Sequence, residues 1–213
     1  VTDDIAHDLR TPLTRLRQRL DAAAAAPSAE AIAAAQAEAD GLLEIFAALL
    51  RIAQVESGTQ RAGFTRVDLS AIAESVAEVY APAAEERGQR LAAEIAPGVT
   101  IEGDPALLTQ MLANIVENAV RHGREGGRIA IALSPREVSV TDDGPGIPEA
   151  ERERVFRRFH RLDSARSTPG SGLGLALVRA VATLHGLAVT LEDAGPGLRV
   201  RVALPATAGA GSR

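Results

Sequence analysis

The chain has 213 residues, with 23 Lys+Arg against 28 Asp+Glu for a formal net charge of −5, and 46% hydrophobic against 24% charged residues. That balance suits one or two soluble globular domains, and the negative excess argues against nucleic-acid binding, which relies on positive charge to neutralise phosphates. With no cysteine and 2% aromatic residues, disulfides, thiolate metal sites and a cysteine nucleophile are excluded, and stacking platforms for single strands are scarce.

No apolar run approaches the ~18 residues that span a bilayer, and no signal-peptide pattern is present. Val1 lies inside a helical pattern already under way, so the expectation is a fragment of a longer protein.

In chain order, "DDIAHDLRTPLTRLRQRL" (residues 3–20) carries Ile5, Leu9, Leu13, Leu16 and Leu20 on one stripe of 3.6-residue period. His7 lies off that stripe and so faces solvent or a partner, and Pro12 should bend the helix near Asp8. "PSAE" at 27–30 reads as a turn with Ser28 as N-cap. A second helix follows with Ile32, Ala35, Ala39, Leu42, Phe46, Leu49 and Ala53 on a near-heptad stripe. Residues 1–57 thus form a helical hairpin, too small to enclose a core. Pairing two hairpins into a four-helix bundle is the economical solution, so a homodimer is expected.

Residues 58–63 are a polar, glycine-bearing linker. Residues 64–205 mix element types: strands at "FTRVDL", "QRLAAEIA" and "VTIEG", then a helix over 105–122 with Asp104 as N-cap, Pro105 first and Gly123 as stop. "GRIAIALS" and "EVSVTDDG" form a hairpin, 145–170 is loop-rich, 172–186 is helical, and "LAVTLED" with "LRVRVALP" closes the domain. The fold class is α+β: the hairpin, then an α/β sandwich with helices on one sheet face. The tail 206–213 reads as disordered.

Four short patterns in the second domain carry chemistry. In "NIVEN", Asn114 and Asn118 project from one helical face with Arg121 and His122 a turn on, and amide oxygens can complete a magnesium shell that keeps waters and phosphate oxygens. "DDGPGIP" puts Asp142 before a turn where backbone can approach a flat ligand. In "GSGLGLALV", glycines 170, 172 and 174 lead into a helix whose N–H groups can cradle phosphate. "RVFRRFHRLDSARSTPG" combines Phe156 and Phe159 with several arginines in a lid-like stretch.

Each pattern alone also fits an ordinary surface, turn or loop; their order is far more specific. "HDLRTPL", "NIVEN", "DDGPGIP", "VFRRF" and "GSGLGLAL" resemble the H, N, G1, F and G2 boxes of sensor histidine kinases, in that family's order. The first box most resembles that of osmosensor-type members. The resemblance implies a dimerisation and histidine-phosphotransfer hairpin, then an ATP-binding domain with the fold shared by gyrase, Hsp90 and MutL. It makes His7 the phospho-acceptor and Asp8 the acid that orients and deprotonates it. Thr11 takes the position used to place water for dephosphorylating the partner.

By the same resemblance Asn118 binds Mg2+ with Asn114 beside it, and Arg121 and His122 lie near the phosphates and ribose. Asp142 holds the adenine amine, Gly144 and Gly146 shape that pocket, and Arg161 with Gly170, Gly172 and Gly174 belongs to the phosphate lid. The implied reactants and partners are ATP with Mg2+, a second copy of the chain, and the receiver domain of a response regulator; nucleic acid is not expected. The implied setting is the cytoplasmic part of a bacterial inner-membrane sensor. Leu187 after "HG", where a second glycine is common, is a small departure affecting a turn.

Two other readings compete. A water-using ATPase of the gyrase or Hsp90 type has glutamate at the position of Asn114; Glu117 could compensate, but adjacent helical positions point ~100° apart. A scaffold that dimerises without catalysis would be expected to lack one of the boxes, and none is missing.

Overall fold

The computed structural model describes residues 2–56, 63–162 and 171–205, with side chains from residue 13 onward. It divides into two compact units, Val1–Arg51 and Ile52–Arg213.

The first unit holds α1 (Thr2–Ala25) and most of α2 (Ala29–Glu56). Helix α1 continues through Pro12. Ser28 caps α2 as its sequence predicts, its Oγ accepting from the Ala31 amide at 3.1 Å. Arg15 on α1 pairs with Glu38 on α2 at 3.5 Å. The single stripe expected on α2 resolves into two: Ala35, Leu42 and Leu49 are buried, whereas Ile32 and Phe46 are exposed with Leu43 and Leu50. Residues 39, 43, 46 and 50 repeat at spacings of four, three and four, a second seam rotated from the first.

The second unit is built on a five-stranded mixed sheet in the order β2-β4-β5-β7-β6, formed by β2 (Arg90–Ile95), β4 (Arg128–Ser134), β5 (Glu137–Asp142), β6 (Ala188–Asp193) and β7 (Leu198–Ala203). Strand β2 runs parallel to β4 and the other pairings are antiparallel. A separate antiparallel pair joins β1 (Thr65–Asp68) to β3 (Thr100–Gly103). Ile131, Val140, Val200 and Leu191 stand in register across four strands and are all buried. That face receives α3 (Leu69–Glu86), α4 (Pro105–His122) and α5 (Gly174–Leu184). The opposite face carries polar side chains; there Glu137 bridges Arg199 and Arg201, each at 2.5 Å.

Helix α4 is the centre of the domain. Its apolar stripe buries Leu107, Leu108, Met111, Leu112, Ile115, Val116, Ala119 and Val120, each large side chain contributing about 1.5–3 kcal/mol by leaving water. Its start is fixed twice over. Asp104 Oδ1 accepts from the Leu107 amide at 3.0 Å, and the Asp104 amide donates to His185 Nε2 at 3.0 Å. Since His185 Nδ1 lies 2.8 Å from the Val181 carbonyl, that ring donates at Nδ1 and accepts at Nε2. It also stacks on Phe64 with ring centroids 4.5 Å apart, pinning the end of α5 to the start of α4.

Candidate active site

At its far end α4 presents Asn114, Asn118, Arg121 and His122. The apolar stripe buries the other faces of the helix, so these polar residues occupy the remaining side. A Cβ built on Gly174, the first residue of α5, would lie 3.5 Å from Asn118 Nδ2 and 3.9 Å from both Asn114 Oδ1 and Asn118 Oδ1. The start of α5, with its unpaired amides and positive dipole end, therefore faces both asparagines. Among the described residues, buried Asn114 Nδ2 has no hydrogen-bond partner.

Asp142 closes β5 and is 7% exposed. Burial raises its carboxyl pKa; the Gly144 and Leu198 amides oppose that shift and the neighbouring Asp143 adds to it. The Gly144 amide donates to Asp142 Oδ1 at 2.8 Å. A Cβ on Gly144 would meet the His122 carbonyl at 2.5 Å, so the turn after Asp142 packs directly on the end of α4.

The loop after the turn holds two short 3-10 segments, Glu149–Glu151 and Arg154–Phe156. Phe159 adopts φ 60° and donates its amide to the Gly172 carbonyl at 3.0 Å. Gly172, at φ +71°, would press a Cβ within 2.9 Å of Phe159 backbone and 3.1 Å of Arg161 Cγ. Phe159 of the F-box segment is thus bound to Gly172, just before α5. Arg161 also acts on His122: partial burial lowers the His122 pKa, with Arg121, Arg161 and Arg87 adding to the effect. Although His122 keeps an exposed edge, its ring is biased toward the neutral form by three guanidiniums from separate elements.

Asn114, Asn118, Arg121, His122, Asp142, Gly144, Arg161, Gly172 and Gly174 thus surround one region of the second unit. Gly146, at φ +69°, faces the β6–β7 turn, where an added Cβ would meet the Gly197 carbonyl at 2.8 Å. Gly170 lies outside the described residues, as do the side chains of His7, Asp8 and Thr11, whose backbone belongs to α1.

Three features were missed by sequence reasoning. Gly197 supports Asp142, since a Cβ there would reach 1.8 Å from the Asp142 carbonyl; the glycines of "AGPG" were the available signal. Arg124 reaches Asp143 at 3.3 Å. Arg121 is engaged by Glu117.

The surroundings match known proteins. Residues 103–208 match the model described as histidine kinase-, DNA gyrase B-, and HSP90-like ATPase, and residues 1–58 match the His Kinase A (phospho-acceptor) domain. The solved mycobacterial sensor histidine kinase MprB aligns at 32% identity and TM-score 0.59, over 67% of this chain and 97% of that one. This chain belongs to the sensor histidine kinases. A relative from Mycobacterium sp. (strain KMS), the signal transduction histidine-protein kinase/phosphatase MprB, is 35% identical over 92% of this chain and 40% of its own length. Full-length ShkA in complex with AMPPNP aligns at 29% identity and TM-score 0.68, over 83% of this chain and 38% of that one. The histidine kinase core described here therefore spans about two fifths of that MprB relative. Among its described residues, no helix is long and apolar enough to cross a membrane.

Proposed function

We propose that this chain phosphorylates itself on His7 with ATP and passes the phosphoryl group to an aspartate on a response regulator receiver domain. The observation that carries the reading is the start of α5 facing Asn114 and Asn118 across Gly174, with buried Asp142 on the adjoining turn. Helix-end amides, two neutral amides and arginines suit a triphosphate, and a buried carboxylate suits an exocyclic amine. Every cation in the chain is arginine, whose fork matches phosphate geometry.

The residues fit Mg2+. Asn118, with Asn114 beside it, offers hard oxygen donors too few to hold the ion alone, as suits a metal completed by waters and phosphate oxygens. When bound, the ion supplies charge neutralisation on the phosphates. Positioning and electrostatics dominate phosphoryl transfer. A neutral His7 nitrogen attacks the γ-phosphorus, an N–P bond forms, the bond to the β–γ bridging oxygen breaks, and ADP leaves. Asp8 takes the proton from the imidazole and stabilises its developing charge. Thr11 is the residue assigned to placing water for the separate phosphatase reaction, in which water attacks the regulator's aspartyl phosphate and inorganic phosphate leaves.

The second apolar seam of α2 favours a homodimer: Leu43, Phe46 and Leu50 are 66%, 44% and 64% exposed at spacings suited to a four-helix bundle. We assign residues 1–57 to dimerisation and phosphotransfer, 58–63 to a linker, 64–205 to catalysis and 206–213 to a tail, in the cytoplasmic part of a membrane-attached sensor. A hydrolytic ATPase is disfavoured because Asn114 stands where the gyrase and Hsp90 type carries the glutamate that activates water.

The test is incubation with Mg2+ and γ-labelled ATP. Acid-labile label on the wild type and none on His7→Ala is expected. Label retained by His7→Ala would remove that assignment, and acid-stable label would point to serine or threonine.

A further inference from the structure

The ion pair between Glu117 and Arg121 places a competitor inside the phosphate site. The two residues are one helical turn apart on α4, and Glu117 Oε1 holds Arg121 Nη2. Both side chains remain accessible, at 43% and 33% of their surface. Tyr80 of α3 lies beside them: burial raises its phenol pKa, Glu117 raises it further and Arg121 opposes. The pair therefore lies on the flank of α4 that packs against α3. Asn118, the residue next to Glu117, points ~100° around the helix toward Gly174. One guanidinium thus stands between two anionic claims, the Glu117 carboxylate and an arriving phosphate.

We propose that Glu117 is a positioning residue that holds Arg121 on the Tyr80 side of α4 when no nucleotide is bound and weakens nucleotide affinity by competing with phosphate for it. The inference rests on the reading of Arg121 as a phosphate contact. Glu117 engages Nη2 of the Arg121 guanidinium, so a phosphate that takes both donors of the outer fork competes with Glu117 for the same nitrogen. An exposed i,i+4 pair is weak, which makes it suitable as a reversible restraint. Its loss corresponds to about a twofold change in an equilibrium constant.

The test is a double-mutant cycle on binding rather than turnover, titrating wild type, Glu117→Gln, Arg121→Ala and the double variant with ATP and Mg2+ by displacement of a fluorescent nucleotide. Glu117→Gln should bind ATP about twofold tighter, Arg121→Ala about tenfold or more weakly, and the double variant like Arg121→Ala alone. Adenosine, which lacks phosphate, should bind wild type and Glu117→Gln equally. An equal gain from Glu117→Gln in both backgrounds would show Glu117 acting only as a bulk negative charge, and no gain in either would remove the competition; both overturn the positioning role and leave the phosphate reading standing. An unchanged ATP affinity in Arg121→Ala alone would instead remove Arg121 from the phosphate site, and this inference with it.

Discussion

Replacing Gly174 with alanine separates the fold from the site. The added Cβ would sit at 3.5 Å and 3.9 Å from the asparagine amides, ordinary van der Waals distances, and Gly174 is not among the glycines of positive φ. The substitution therefore strains nothing and exchanges glycine for a better helix former, a gain of up to about 1 kcal/mol in a helix interior and less at a first residue. For a domain of about 150 residues that raises Tm by no more than about 2–4 °C. The same methyl occupies the approach between the α5 amides and the asparagines. Losing one hydrogen bond to a charged phosphate costs about 1.5–3 kcal/mol, so ATP should bind about ten- to 150-fold more weakly. Thermal unfolding without nucleotide, together with calorimetric titration, reads both numbers. ATP affinity unchanged at unchanged or higher Tm would refute the phosphate cradle; a Tm lowered by more than about 5 °C would refute the steric argument. Gly172→Ala should behave oppositely, losing about 1–2 kcal/mol of stability because its φ is +71°.

Two further outcomes are expected. Because burial raises the Asp142 pKa, the native state holds this proton to higher pH than the unfolded chain. Its contribution to stability is then full below the unfolded value of ~3.9 and is lost as pH rises through the folded one. Asp142→Asn should flatten that part of the pH–Tm profile of the nucleotide-free protein and weaken ATP binding about tenfold or more; an unchanged profile would show that Asp142 is not the group titrating. Phe46→Asp should shift the chain from dimer to monomer in sedimentation, and an unchanged sedimentation coefficient would exclude the second α2 seam as the interface.

Most element boundaries were legible because their signals are local. Helix α4 announces itself through Asp104, Pro105, a 3.6-residue apolar stripe and Gly123, and β4 and β5 through strict alternation. Most residues that the fold gathers around the candidate site were nameable from motif order alone. What stayed hidden depends on contacts between distant segments. The parallel pairing of β2 with β4 has no local signature, since β2 shows no clean alternation in its exposure. The α2 stripe was read as one because Ile32 and Phe46 lie close enough to the buried seam to share its period. Gly197 looked like a plain hairpin glycine, because its requirement comes from the Asp142 carbonyl opposite, 55 residues earlier in the chain. The restraint on Arg121 was hidden because Glu117 could be weighed as a base but not seen to be occupied.

The His185 pin has a geometric consequence for the cradle. It ties the start of α4 to the end of α5, whereas the asparagines and Gly174 meet at the opposite end of the same helix pair. Helix α5 has 11 residues and so spans about 16 Å, acting as an arm about a fixed pivot. A rotation of about 5° at His185 swings Gly174 by about 1.4 Å along such an arm, close to the difference between an amide in and out of hydrogen-bonding range. The separation of Gly174 from the asparagines is therefore set by packing along the whole of α5, where Ala176, Leu177, Val178 and Val181 are buried, as well as by the joint at His185.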